Sequence, residues 1–115
     1  MENHPDAKLL RIFIGETDTV SHRPLYEAIV LEAKKSGLAG ATVLRGMMGF
    51  GANSVIHSFK FFELSSDMPL IIEIVDTEDK IRDFTPLVEA LFEKAKCGGL
   101  ITVEKAEVIR YRAGA

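Results

Sequence analysis

Short apolar runs alternate with longer stripes at helical spacing along most of the chain. Leu9–Ile14 reads Leu-Leu-Arg-Ile-Phe-Ile and stops at Gly15, a β-rich run that predicts an interior strand. After a polar loop, Pro24 stands at a first-turn position, and Leu25, Ala28, Ile29 and Ala33 make one apolar stripe. Lys34 and Lys35 complement the helix dipole, and Gly37 followed by Leu38 has the form of a glycine C-cap, so the spacing predicts a first helix from about Pro24 to Ser36. Ala41–Leu44 begins a second strand that enters a glycine-rich stretch, Gly46 to Gly51. Val55–Leu64 resumes β patterning, so the two runs read as strands joined by a long hairpin loop. Ser65–Pro69 reads as a turn and Leu70–Val75 as another apolar strand, closed by the helix-starting residues Asp76 and Thr77. Ile81, Phe84, Val88, Leu91 and Phe92 mark a second amphipathic helix, which Pro86 should kink or split. Cys97-Gly98-Gly99 predicts a tight loop, Leu100–Val103 a short strand and Glu107–Arg112 a last strand.

The succession is strand, helix, strand, strand, helix, strand, with a short extra strand at the end. It predicts an α+β, ferredoxin-like βαββαβ sandwich with an antiparallel sheet and two helices on one face. At 115 residues the chain is sized for one domain over 1–115, with flexible ends at 1–8 and 113–115. Two helices cover only one face of such a sheet, yet Leu9–Ile14 and Leu70–Val75 carry large apolar side chains on both faces. The second face is therefore expected to be buried by other copies of the chain.

Composition narrows the function. Of the residues, 47% are hydrophobic and 27% charged, as in ordinary globular proteins, and no apolar run is long enough for a membrane helix. The polar start of the chain lacks a secretory pattern, which makes the cytoplasm the expected compartment. A net charge of −3 argues against a sequence-independent nucleic-acid binder. The single cysteine, Cys97, excludes an internal disulfide and reads as a buried thiol.

Few residues carry chemistry. Gly49-Phe50-Gly51 either brings bare backbone close to a ligand or is a hairpin bend that needs positive φ, and Cys97-Gly98-Gly99 has the same two readings. Arg110 and Arg112, two apart on a predicted strand, would project to one face about 7 Å apart, a span suited to neighbouring phosphates and equally found among solvated edge charges. His4, His22 and His57 are too scattered for a metal set, no nucleophile accompanies Glu16, Asp18, Glu73 or Asp76, and the phosphate-loop pattern is absent. No catalytic constellation and no metal site is expected.

Three separated motifs nevertheless form a recognisable order: Arg23-Pro24-Leu25-Tyr26-Glu27-Ala28-Ile29-Val30, the run Gly37 to Gly46 followed by Gly49-Phe50-Gly51, and Ile72-Glu73-Ile74-Val75-Asp76. From Leu9 to Val108 the chain resembles the uncharacterised PII-like signalling family known as DUF190. It is more distantly similar to the nitrogen-regulatory PII proteins, whose Arg-x-Arg-x-Gly ending has its counterpart in Arg110-Tyr111-Arg112-Ala113-Gly114.

The resemblance implies a non-enzymatic homotrimer with an adenine nucleotide in the cleft between subunits and no tightly bound cofactor. Thr42 would meet the adenine side, Gly49, Phe50 and Gly51 would give backbone contacts, and Gly98 and Gly99 would form the phosphate-side loop. Arg110 and Arg112 would hold phosphates from the adjacent subunit, and Asn53 would stand where PII proteins carry a glutamine. Leu100 replaces the lysine that follows those glycines, which favours AMP or ADP over ATP. The loop after the second strand is shorter than in PII proteins and lacks the modifiable tyrosine. By analogy the listener would be a membrane transporter or channel. Two other expectations are a trimeric structural adaptor similar to the divalent-cation-tolerance proteins, and an acyl-phosphatase-like enzyme using Arg45 and Asn53.

Overall fold

The computed structural model describes residues 1–51, 57–58 and 67–114. Its elements are β1 (Ala7–Gly15), β2 (Thr19–Val20), β3 (Arg23–Pro24), α1 (Leu25–Lys35), β4 (Thr42–Arg45), β5 (Met48–Gly49), β6 (His57–Ser58), β7 (Pro69–Thr77), α2 (Glu78–Ala95) and β8 (Leu100–Lys105). The main sheet has the order β4-β7-β1-β8 and is antiparallel at each junction. With its two helices this is the ferredoxin-like α+β sandwich expected from the sequence.

The period-2 pattern of β1 and β7 fixes the core. Leu10, Ile12, Ile14, Leu70, Ile72 and Ile74 point to one face and are buried. Leu25, Ile29 and Ala33 of α1 and Ile81, Phe84 and Val88 of α2 cover them at helical spacing. α1 ends as its sequence predicts: Gly37 has φ +79°, its N–H donates to the Lys34 carbonyl at 3.1 Å, and the Leu38 N–H donates to the Ala33 carbonyl at 3.0 Å. That pair of bonds is a Schellman cap, with Leu38 packed on the core.

Three expectations are corrected. The strand beside β4 in the main sheet is β7, not Val55–Leu64; within that run the described residues His57–Ser58 pair with Met48–Gly49, and the remainder lies outside the described residues. α2 runs through Pro86 without a break. Pro86 is exposed, so water can reach the carbonyl left without its intrahelical donor, while the Thr85 hydroxyl donates to the Ile81 carbonyl at 2.8 Å. Glu107–Arg112 is not a strand, because no strand of the described chain lies beyond the β8 edge to give it a ladder. Its bonds go instead to side chains and to the segment before β1.

α2 ends less comfortably than α1, on Lys96 at φ 55°. A side chain in the left-handed region is strained where glycine is not. Lys96→Gly is expected to stabilise the chain by about 1 kcal/mol, a rise in the thermal unfolding midpoint of several degrees. An unchanged or lowered midpoint would show that no strain resides there.

Among the described residues, no helix covers the opposite face of the sheet. Its register sets Leu44, Ile71, Phe13 and Leu100 side by side across all four strands. One step along, Glu73 lies opposite Arg11, and Glu104, opposite Leu9, reaches Arg11 diagonally, with Arg11 Nε 2.9 Å from Glu73 Oε2 and Nη1 2.7 Å from Glu104 Oε1. The hydrogen bond to Glu73, aided by the charge of Glu104, raises the Arg11 guanidinium above its ordinary pKa. The open face is thus apolar at one end and internally neutralised in the middle.

Candidate functional site

A cleft of about 650 Å³ opens where this uncovered face meets the segment after β8. Leu9 and Val75 give it an apolar floor, Thr42 and residues 39–41 form one wall, and residues 106–111 form the other. Glu73 also lines it, already engaged by Arg11.

Two long-range contacts hold the walls. The Asp76 carboxylate, buried at the end of β7, accepts the Ala39 N–H at 2.8 Å and the Thr77 N–H at 2.7 Å. The Tyr111 hydroxyl donates to the Ala39 carbonyl at 2.8 Å, tying the segment after β8 to the loop before β4. Asp76 is therefore more than the helix-starting residue its position indicates. It orders the wall that carries Thr42.

The predicted site residues divide into groups. Thr42 and Arg110 line the same cleft within one chain, and Arg110 is exposed with no ion pair among the described residues. Arg112 lies just past the cleft and is engaged by Glu2, with Nε 3.0 Å from Oε1 and Nη2 3.3 Å from Oε2. The same Glu2 carboxylate accepts the Tyr111 N–H at 2.8 Å. The Arg112 hydrogen bond foremost, and then that amide, hold the Glu2 carboxyl below the usual carboxylate range. A depressed value means that the contact is present at neutral pH and is lost only as pH falls through that lowered value.

Gly49, Phe50 and Gly51 follow the far end of β4, beyond Arg45, with Gly49 beside Pro69. Gly98 and Gly99 precede β8 on the opposite edge of the sheet. Three interstrand spacings, roughly 14 Å, separate the β4 and β8 edges. One chain therefore does not unite the two glycine pairs. Asn53 lies outside the described residues.

The positive-φ reading of these glycines does not hold, since Gly37 alone among the described glycines has one. Close approach explains two others. A Cβ on Gly46 would lie 2.8 Å from the Pro69 ring, while its N–H donates to the Pro69 carbonyl at 2.7 Å. A Cβ on Gly99 would lie 2.6 Å from the Phe92 ring and 2.9 Å from the Phe13 carbonyl oxygen. Gly51 and Gly98 have open space around them, which is what a ligand-facing glycine requires.

Arg45, the residue an acyl-phosphatase-like site would need free, is paired to Glu16, with Nη2 3.1 Å from Oε1. Cys97 is half-buried, and burial first, then the charge of Asp18, pushes its thiol up, so it stays protonated and unreactive at neutral pH. No described helix is long and apolar enough to cross a membrane. Glu2 and Tyr111 escaped the sequence reading: they meet across 109 positions, and no local pattern announces such a contact.

The sequence profile of the DUF190 family, described as Uncharacterized ACR, matches residues 7–108. A UPF0166 protein of Aquifex aeolicus is 42% identical over 102 residues, covering 89% of this chain and 92% of that protein. A UPF0166 protein of Methanocaldococcus jannaschii is 36% identical over 104 residues, covering 90% of this chain and 93% of its own length. Among solved structures, CPII, a nitrogen regulatory PII-like protein from Thiomonas intermedia bound to ADP, AMP and bicarbonate, aligns with a TM-score of 0.69 at 17% identity, over 90% of this chain and 89% of that one. The divalent ion tolerance protein CutA1 of Ehrlichia chaffeensis aligns with a TM-score of 0.58 at 12% identity, over 89% and 82%. Both likenesses are of fold.

Proposed function

The chain belongs to the DUF190 family, and from that membership and the cleft we propose that it is a PII-like regulatory subunit, not an enzyme, that binds AMP or ADP between copies of a homotrimer. The observation that carries this reading is the division of its site residues. Thr42 and Arg110, which has no ion pair among the described residues, share one cleft, while the open glycines Gly51 and Gly98 lie at distant edges, so a neighbouring copy is what completes a phosphate-binding surface. The apolar floor of Leu9 and Val75 suits a planar base, the Thr42 hydroxyl and the backbone of Gly40 and Ala41 supply polar contacts to it, and Arg110 supplies a charge for phosphate. The PII-like CPII protein, similar in fold, was solved with ADP and AMP, which supports the choice of ligand.

A partner protein reads the occupancy. Met47, Met48 and Phe50, exposed at the end of the strand that begins with Thr42, offer it an apolar contact.

Calorimetric titration with AMP, ADP and ATP, with and without magnesium, tests the reading. Selective binding of AMP or ADP is expected, and a ligand at a hundred times its dissociation constant should add about 2.7 kcal/mol to folding stability. Arg110→Ala is expected to weaken that binding by roughly ten- to a hundredfold, through loss of one charged hydrogen bond. Unchanged affinity in that variant overturns the site assignment, and no binding of any nucleotide overturns the function.

A further inference from the structure

Glu2 is bound as an external anion would be. Its carboxylate takes three donors at once, the Tyr111 N–H at 2.8 Å, Arg112 Nε at 3.0 Å and Arg112 Nη2 at 3.3 Å. A fork of guanidinium nitrogens beside a backbone amide is the donor set that carboxylates and phosphates share. Exposed ion pairs are common and weak, but this one differs in its carboxylate half, whose side chain is only 24% exposed against 61% for Arg112. The segment that delivers Glu2 is docked as well: the Asn3 N–H donates to the Val108 carbonyl at 3.2 Å, and Met1 lines the cleft that Arg110 lines.

We propose that the Tyr111 amide and the Arg112 guanidinium form an anion site at the mouth of the cleft, that Glu2 fills it as an intramolecular competitor, and that the phosphate of an incoming nucleotide displaces Glu2. The identity of the displacing ligand rests on the function proposed above; the site and its occupant do not. Arg110, with no ion pair among the described residues, then makes the first phosphate contact, and Arg112 becomes available only when residues 1–5 lift away. Because both anions need the same three donors, binding is exclusive. Nucleotide arrival therefore releases the segment before β1, which gives a partner a second change to detect besides the cleft itself.

The test is calorimetric titration of the full chain, with ADP and separately with inorganic phosphate as probes, comparing the native protein with Glu2→Gln and with Glu2→Gln/Arg112→Gln. If Glu2 occupies the site in about nine molecules of ten, its removal should tighten binding about tenfold. A tighter ADP affinity in Glu2→Gln that vanishes in the double variant supports the proposal. Tighter phosphate binding by Glu2→Gln with no ADP binding by any form supports the anion site and sinks the nucleotide reading. Equal affinities in the native and Glu2→Gln proteins, or a gain that survives the loss of Arg112, overturn the proposal; measurable ADP binding then leaves the nucleotide reading standing. Failure of Glu2→Gln to bind either probe overturns it too. Circular dichroism of both variants confirms that they are folded.

Discussion

The native protein is expected to elute at three times the chain mass of 12.7 kDa, and Ile71→Asp is expected to elute as a single chain and to lose nucleotide binding with its assembly. Ile71 sits in the middle of the apolar row that Leu44, Phe13 and Leu100 complete across the uncovered face. It is only half-buried in the single chain and outside the core that the helices cover, so a carboxylate there is solvated in the monomer and costs the fold little. Pressed against neighbouring copies, the same carboxylate is dehydrated without a cation in reach, since Arg11 is already shared by Glu73 and Glu104. Each buried, unpaired charge costs several kcal/mol, and a closed trimer meets that cost three times. Light scattering together with far-ultraviolet circular dichroism checks it. A variant that stays assembled rules this face out as the interface, and a native protein that is itself monomeric removes the premise that copies complete the site.

The parts of the fold that could be read beforehand are those set by neighbours in sequence. Gly37 and Leu38 announced a Schellman cap, and the apolar runs of β1 and β7, with large side chains on both faces, announced two interior strands, because both depend on residues a few positions apart. Pro86 misled, since its effect depends on which side of α2 it occupies, and the solvent side forgives the lost bond. Glu107–Arg112 misled differently. Ile109 to Arg112 does alternate apolar and polar residues, but a strand also needs a partner, and none exists in the described chain beyond β8. With the strand gone, the two-residue spacing of Arg110 and Arg112 no longer puts them on one face: Arg110 lines the cleft and Arg112 turns to Glu2. For the site, the resemblance implied that Arg110 reaches in from the adjacent subunit, whereas Thr42 and Arg110 line one cleft of a single chain, and the roles of Glu2, Asp76 and Tyr111 came only from contacts between distant parts of the chain.

The two glycines before β8 illustrate how a motif can join unlike roles, and substitution separates them. Gly99→Val is expected to destabilise the chain by about 3 kcal/mol, the upper part of the ordinary range for overfilling a packed site, and to lower the unfolding midpoint by roughly 10 °C at fixed protein concentration. The added Cβ alone would come within 2.6 Å of the Phe92 ring and 2.9 Å of the Phe13 carbonyl oxygen, before the two methyl groups are placed. The ring of Phe92 could swing, but Phe13 cannot withdraw, because β1 is paired on one side to Ile71 and on the other to Leu100. The strand must shift, the ring must leave the core margin, or β8 must peel from the edge. Gly98→Val meets no atom within 4 Å at its Cβ, so its stability should stay close to native while its nucleotide affinity falls, as a side chain placed on the phosphate side blocks approach. Equal destabilisation by the two substitutions would contradict the packing role given to Gly99. Unchanged nucleotide affinity in Gly98→Val would remove that glycine from the site and leave the cleft of Thr42 and Arg110 to bind the ligand without it.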